Sequence, residues 1–313
     1  MGNIMMFIDQ VTRYAYLQQA LVAAILVGVI CGVIGCFIIL RGMALMGDAI
    51  SHAVLPGVVI AYMLGANFFI GATITGVLTA LAIGYVSQNS RIKDDSAIGI
   101  MFTAAFALGI VLITGLRGTG VDLWHILFGN VLAVSRSDLY VTLGIGAFVL
   151  AMIVLFYRPL LLSTFDPVMA KATGIPVRLV HYLLMLLLSL VTVASLKTVG
   201  IVLVVAMLIT PGATAYLLTD RLPVMLSLSA VFGVLSAVIG MYYSVVYDVA
   251  SGPQLYLLLP FSLVWPSSSL RSKELLQKSC VRVKYKKHSY SFNSIQSGRA
   301  GNHIINGSCS FTF

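Results

Sequence analysis

LVAAILVGVICGVIGCFIIL, residues 21–40, runs for 20 positions without a charged side chain. A helix needs roughly 20 apolar residues to cross a hydrocarbon core about 30 Å thick. The stretch is one of a series. Comparable runs lie at about 19–40, 45–64, 69–88, 97–115, 138–157, 179–196, 199–218 and 223–246. Hydrophobic residues make up 59% of the 313 and charged residues 9%, where a soluble domain carries about 25% charged residues. A chain so poor in charge cannot cover itself with a wetted surface, so lipid must face much of it. Alternating strands of a membrane barrel are absent from the pattern, which leaves helices as the spanning element. The expected fold is all-α: a polytopic transmembrane bundle of about eight spans.

Working outward, residues 1–18 carry Asp9 and Arg13 and no long apolar core, so the first span is expected to be retained rather than cleaved. Gly28 and Gly32 have the small-xxx-small spacing that lets helices approach closely, although glycine is also simply common in membrane helices. The segment 122–134, DLWHILFGNVLAV, is too short to span and reads as a re-entrant or interfacial helix, with Trp124 suited to the headgroup level. Two polar connections, 89–96 and 158–178, carry Arg91, Lys93, Arg158, Lys171 and Arg178. The positive-inside rule places both on the cytoplasmic side, which puts residues 1–18 outside.

The net charge of +9 belongs mostly to the C-terminal tail: residues 254–313 hold 8 Lys/Arg against one Glu, and residues 1–253 hold 11 Lys/Arg against 9 Asp. The membrane part therefore offers no basic footprint for nucleic acid. Cys31 and Cys36 do not share a helix face, Cys280 and Cys309 lie in the tail, and neither a disulfide framework nor a zinc pattern emerges.

The outstanding polar segment is RGMALMGDAISHAVLPG, residues 41–57. Asp48 and His52 are spaced i,i+4, so they project from one helix face. Ionisable groups at membrane depth usually face a bundle interior or a water-filled path. A carboxylate and an imidazole suit a divalent first-row metal. On residue types alone an N-cap role for Asp48, with His52 hydrogen-bonded nearby, stands beside the metal reading. Thr210-Pro211-Gly212 interrupts an apolar run and is read either as a helix broken at membrane depth or as a tolerated proline kink. Asp166 before Pro167 caps a short helix of about 167–173, closed at Gly174 and Pro176, the kind of loop helix that could dock a soluble partner. His125 and His181 stand alone and read as structural. No G-x-x-x-x-G-K-[ST] loop occurs, so ATP hydrolysis by the P-loop route is not expected of this chain.

Taken together, RGMALMGDAISHAVLPGVVIAYMLG (41–65), DDSAIGIMFTAAFALGIVL (94–112) and SLKTVGIVLVVAMLITPGATAYLLTDRL (195–222) resemble the permease subunits of the ATP-binding-cassette importers for manganese, zinc and iron. LFGNVLAVSRSD (127–138) and STFDPVMAKATGIP (163–176) agree, and the manganese branch is the most similar. The resemblance implies a multi-pass protein of a prokaryotic cell membrane, not itself an enzyme. It implies two permease chains, expected to be identical, around a central path. An extracellular metal-binding lipoprotein or periplasmic protein delivers the metal, and cytoplasmic ATPase subunits dock on a coupling helix. That helix maps to Asp166–Gly174, with Asp166, Pro167, Ala170 and Gly174 as its matching positions. The path-lining Asp and His of the family match Asp48 and His52. No cofactor is expected to stay bound; the cargo is manganese, or alternatively zinc or iron. Rival readings are an importer of metal-chelate cofactors, which would not need Asp48 and His52 as ligands, and an ion-coupled secondary carrier without an ATPase.

The resemblance covers most of 15–253 and then fails. Family members continue into one more span, whereas this chain reads QLYLLLPFSLVWPSSSLRSKELLQKS after Pro253. A one-nucleotide deletion near Pro253 is the expected cause, with a genuinely divergent tail as the alternative. With one base restored, permitted codons for residues 254–278 allow TIVFTVAIQFGLAFIFSPKQGIITK, an apolar span with a family-like end. The chain is accordingly divided into a permease domain, 1–253, and an aberrant tail, 254–313, expected to be disordered beyond its apolar start.

Overall fold

The computed structural model describes residues 2–115 and 135–247, and these are entirely helical or turn. The expected re-entrant helix at 122–134, His125 and the tail from 254 onward lie outside the described residues. A short amphipathic helix, α1 (Gly2–Arg13), precedes the first long helix, α2 (Ala15–Leu40). The sequence reading had no element at α1; its Phe7 ring meets Tyr242 edge-on at 5.4 Å.

The second span is divided. α3 (Met46–Ala53) and α4 (Leu55–Met63) together make one membrane-length segment, hinged at Val54. The cause is Pro56: it has no N–H, so the His52 carbonyl loses its i+4 donor. α5 (Phe68–Asn89) is capped by Asn67, whose side chain accepts from the Phe69 amide at 3.0 Å. α6 (Asp94–Gly115) starts with two aspartates in its first turn, where the helix dipole favours them. Ser135 caps α7 (Arg136–Leu155) and donates to the Asp138 carboxylate at 2.8 Å. α8 (Tyr157–Phe165) and α9 (Pro167–Ala172) form a short corner before α10 (Val177–Val199). Gly200, with φ +87°, turns the chain into α11 (Ile201–Leu218), and α12 (Leu222–Tyr247) closes the described residues.

Among the described residues seven segments are long and apolar enough to cross a membrane. The eighth expected span corresponds to α11, whose apolar part, Leu203–Leu218, is shorter. It reaches only about 24 Å at 1.5 Å per residue. α11 also corrects the broken-helix reading of Thr210-Pro211-Gly212, because the helix runs through Pro211 without interruption. The Thr214 hydroxyl donates to the Thr210 carbonyl at 2.8 Å, and Gly212 packs directly on the backbone of Gly35 and Cys36. Neighbouring helices hold a proline in a continuous membrane helix in this way.

α2 sits at the centre, flanked by α11 and α12, with α7 and α10 on its other sides. The seam is built from small residues. A Cβ on Gly28 would lie 2.7 Å from the Gly233 carbonyl oxygen, and one on Gly32 would lie 2.8 Å from that of Ser229. The Ser229 hydroxyl donates to the Gly32 carbonyl at 2.7 Å. Gly35 meets the Leu208 carbonyl in the same manner. The Gly28/Gly32 spacing is thus a helix-packing device, which extends to Gly35. The buried thiols of Cys31 and Cys36 fill the same seam, against Ser195 and the Met225 carbonyl. A second group, α3 and α4 with α5 and α6, joins the first through α10. The outer faces of α5, α6 and α7 expose Ile74, Leu78, Ile100, Leu108, Tyr140 and Val154, as lipid-facing helices do.

Candidate functional site

α3 carries the expected pair. Its N-cap is Leu45, and Asp48 lies inside the first turn, so Asp48 does not cap the helix. The Asp48 Oδ1 stands 3.5 Å from the His52 Nε2, as the i,i+4 spacing requires. The two side chains are 45% and 24% exposed, respectively, although the rest of α3 is almost wholly buried. The pair therefore faces out of the single chain at the one open side of an enclosed helix. On the far side of His52, the rings of Phe102 and Phe106 from α6 each stand 5.6 Å from the imidazole and fix its plane. Nothing in the sequence reading singled out these two rings; their i,i+4 spacing on the neighbouring span was the available signal.

The 3.5 Å separation is short enough for the carboxylate oxygen and the imidazole nitrogen to reach one divalent ion at about 2.1 Å from each. Among the described residues no group of three or more His, Cys, Asp or Glu side chains converges. Asp48 and His52 are thus a pair of metal-competent groups, fewer than the four to six donors that a first-row ion takes.

The α9 corner is built as its sequence requires. Asp166 accepts from the amides of Val168 (3.1 Å) and Met169 (2.9 Å). Gly174 adopts φ +81°, which lets the Ile175 amide return to the Ala170 carbonyl at 3.0 Å and closes the helix. Of the four positions matched to a coupling helix, Asp166, Pro167 and Gly174 shape the corner, and Ala170 is fully buried on its inner side. The surface is supplied by their neighbours: Phe165, Val168 and Met169 are all exposed apolar side chains at the tip of a polar loop.

Beside this corner lies a polar hub that the sequence reading missed. Arg41, the C-cap of α2, donates from Nε to Thr164 Oγ1 (3.2 Å), and from Nη2 to Ser163 Oγ (2.7 Å). Its Nη1 lies 3.3 Å from His181 Nδ1. Burial lowers the guanidinium only to about 10, so it remains a cation at neutral pH. His181, read as structural from the sequence, joins this hub, and among the described residues its buried Nε2 has no hydrogen-bond partner. No local sequence pattern joins positions 41, 163, 164 and 181; only the packing of three helices does.

The profile of the ABC 3 transport family matches residues 13–268. The manganese transport system membrane protein MntC of Halalkalibacterium halodurans is 82% identical over 257 residues, covering 82% of this chain and 88% of that protein. Its namesake in Listeria innocua is 58% identical over 253 residues, covering 81% and 90%. Among solved structures, PsaBC from Streptococcus pneumoniae in complex with Fab matches with a TM-score of 0.75 at 49% identity, covering 84% of this chain and 95% of that one. A putative metal-chelate type ABC transporter in an inward-facing conformation shares the fold alone, with a TM-score of 0.65 at 15% identity. The chain belongs to the ABC 3 transport family.

Proposed function

We propose that this chain is the membrane-spanning permease of an ATP-driven importer that carries manganese across the cell membrane. The observation that carries the reading is the Asp48–His52 pair, two metal-competent groups 3.5 Å apart on the open side of an otherwise enclosed membrane helix. The names of its relatives, manganese transport systems at 58–82% identity, supply the metal. A second, identical chain completes the site by bringing its own pair to the same path, which raises two ligands to four. The pair binds weakly enough to release, because a mixed oxygen and nitrogen set without thiolate holds manganese loosely. An extracellular binding protein loads the path, and cytoplasmic ATPase subunits dock on α9 through Val168 and Met169.

The test is uptake of radioactive manganese by cells that express the chain with its ATPase and binding protein, in competition with zinc and iron. Manganese uptake resistant to a tenfold excess of zinc or iron, an excess worth about 1.4 kcal/mol of selectivity, supports the reading. Uptake suppressed by zinc or iron assigns the path to that metal instead.

The family match runs past Pro253 to residue 268 and leaves 269–313 outside it, so the departure from the family is complete only after 268; the shifted frame after Pro253 is the reading proposed for it. Uptake is therefore to be measured both in the chain as it stands and in a frame-restored chain. Sequencing of the gene decides the matter: a frame that yields no span beyond Pro253 in either neighbouring register removes the idea.

A further inference from the structure

We propose that Arg41 is the positioning residue that transmits movement of the ATPase-docking corner to the metal-bearing helix. The inference rests on the docking role of α9 and on the metal role of Asp48 and His52 given above.

Arg41 lies in the turn that ends α2 and leads into α3. Gly42 takes φ +70°, and the amides of Gly42 and Met43 return to the α2 carbonyls of Ile39 and Ile38 at 3.0 Å each. Arg41 therefore stands at the joint between α2 and α3, seven positions before Asp48. On the other side, Ser163 and Thr164 are in the last turn of α8, immediately before Asp166, the cap of α9. The guanidinium fork thus ties the docking corner to the start of the path helix. His181, in the first turns of α10, supplies the third anchor.

The chemistry of the hub separates it from a static tie. Arg41 is half-buried, and a cation drawn out of water is commonly paired with a carboxylate. Among the described residues Arg41 has no carboxylate within ion-pair distance; its three partners are neutral hydroxyls and an imidazole. Asp94, in the first turn of α6, is engaged by the Ser87 hydroxyl. Bonds to neutral groups are weaker than charge pairs and can be exchanged during a conformational cycle. Among the described residues the buried Nε2 of His181 is a second polar atom of the hub with no partner. Such a group is expected to find a partner when the hub rearranges.

The experiment compares wild type with Arg41→Ala, Arg41→Lys and the double variant Ser163→Ala/Thr164→Val, each assembled with the ATPase subunits and loaded binding protein. It is run in the full chain, and in the frame-restored chain for every arm where the full chain moves no manganese. Three quantities are read: ATPase subunit bound per permease, ATP hydrolysed, and manganese moved per ATP. The expected result for Arg41→Ala and for the double variant is binding and hydrolysis within about twofold of wild type, with manganese per ATP reduced at least about tenfold. Arg41→Lys keeps the charge but loses the three-way fork, so it recovers less than half of the wild-type ratio. Unchanged manganese per ATP in either Arg41→Ala or the double variant overturns the proposal. Loss of the assembled complex in both overturns it too, because the hub is then a folding element. The docking reading is tested separately by Val168→Glu/Met169→Glu: full ATPase binding in that variant refutes docking through α9, whatever the Arg41 variants do.

Discussion

The α2 seam and the α3 face lie next to each other in one bundle and are built on opposite rules. Along the seam, Gly28, Gly32 and Gly35 bring backbones into direct contact with α11 and α12, with no polar side chain left to spare. On α3, two ionisable side chains stay partly open, beside a hinge at Val54 created by Pro56. The first region has one good arrangement, because a close-packed backbone contact tolerates no adjustment. The second has two metal-competent side chains left open in the single chain and a helix that is already divided. The difference sets a scaffold fixed where glycines meet against a face where packing is left unfinished, which is where the proposed path would handle its cargo.

The contrast is broken most severely at the seam. Gly28→Val places branched carbon atoms against the Gly233 carbonyl, a backbone group that cannot rotate away. Overpacking of this kind costs about 1–3 kcal/mol or more, so the thermal unfolding midpoint and the yield of folded protein should both fall sharply. A wild-type midpoint in that variant would show that the seam is looser than described.

Next in size is the support of the α3 face. Phe102→Ala removes one of the two rings that hold the His52 imidazole. Loss of such a supporting contact weakens metal binding by about 10- to 100-fold. Manganese uptake at low external concentration should fall on that scale and recover at saturating metal, while the unfolding midpoint moves little. A uniform loss at all concentrations would point to misfolding instead.

Smaller still is the cap of the docking corner. Asp166→Ala removes both of the amide bonds that start α9 and should cost about 1 kcal/mol, read as faster hydrogen exchange confined to 167–174. The smallest expected effect is at Pro211. Since α11 already runs through it, Pro211→Ala should change stability by less than about 1 kcal/mol, and a large loss of transport there would restore the broken-helix reading.

How much of this was legible in the sequence follows from the range of each interaction. The long spans were, because composition over about 20 residues decides whether a helix can live in lipid. The Asp48–His52 pair and the Asp166 cap were as well, since i,i+4 and cap geometry are local. The division at Val54 was available but unread, although Pro56 stood in the quoted segment. Pro211 was ambiguous for the complementary reason: its local signal allows either a break or a tolerated proline, and packing on the backbone of Gly35 and Cys36 decides for the second. The Arg41 hub was not legible at all, because its partners lie more than 120 positions away and no spacing rule connects them.

The most direct test of the central claim is manganese uptake into proteoliposomes containing the assembled importer, with Asp48→Ala and His52→Ala beside wild type. The account predicts that each variant unfolds at the wild-type temperature and binds the ATPase subunits, yet loses at least about 10- to 100-fold of uptake at limiting manganese. Wild-type uptake in either variant would contradict it and take that residue out of the path.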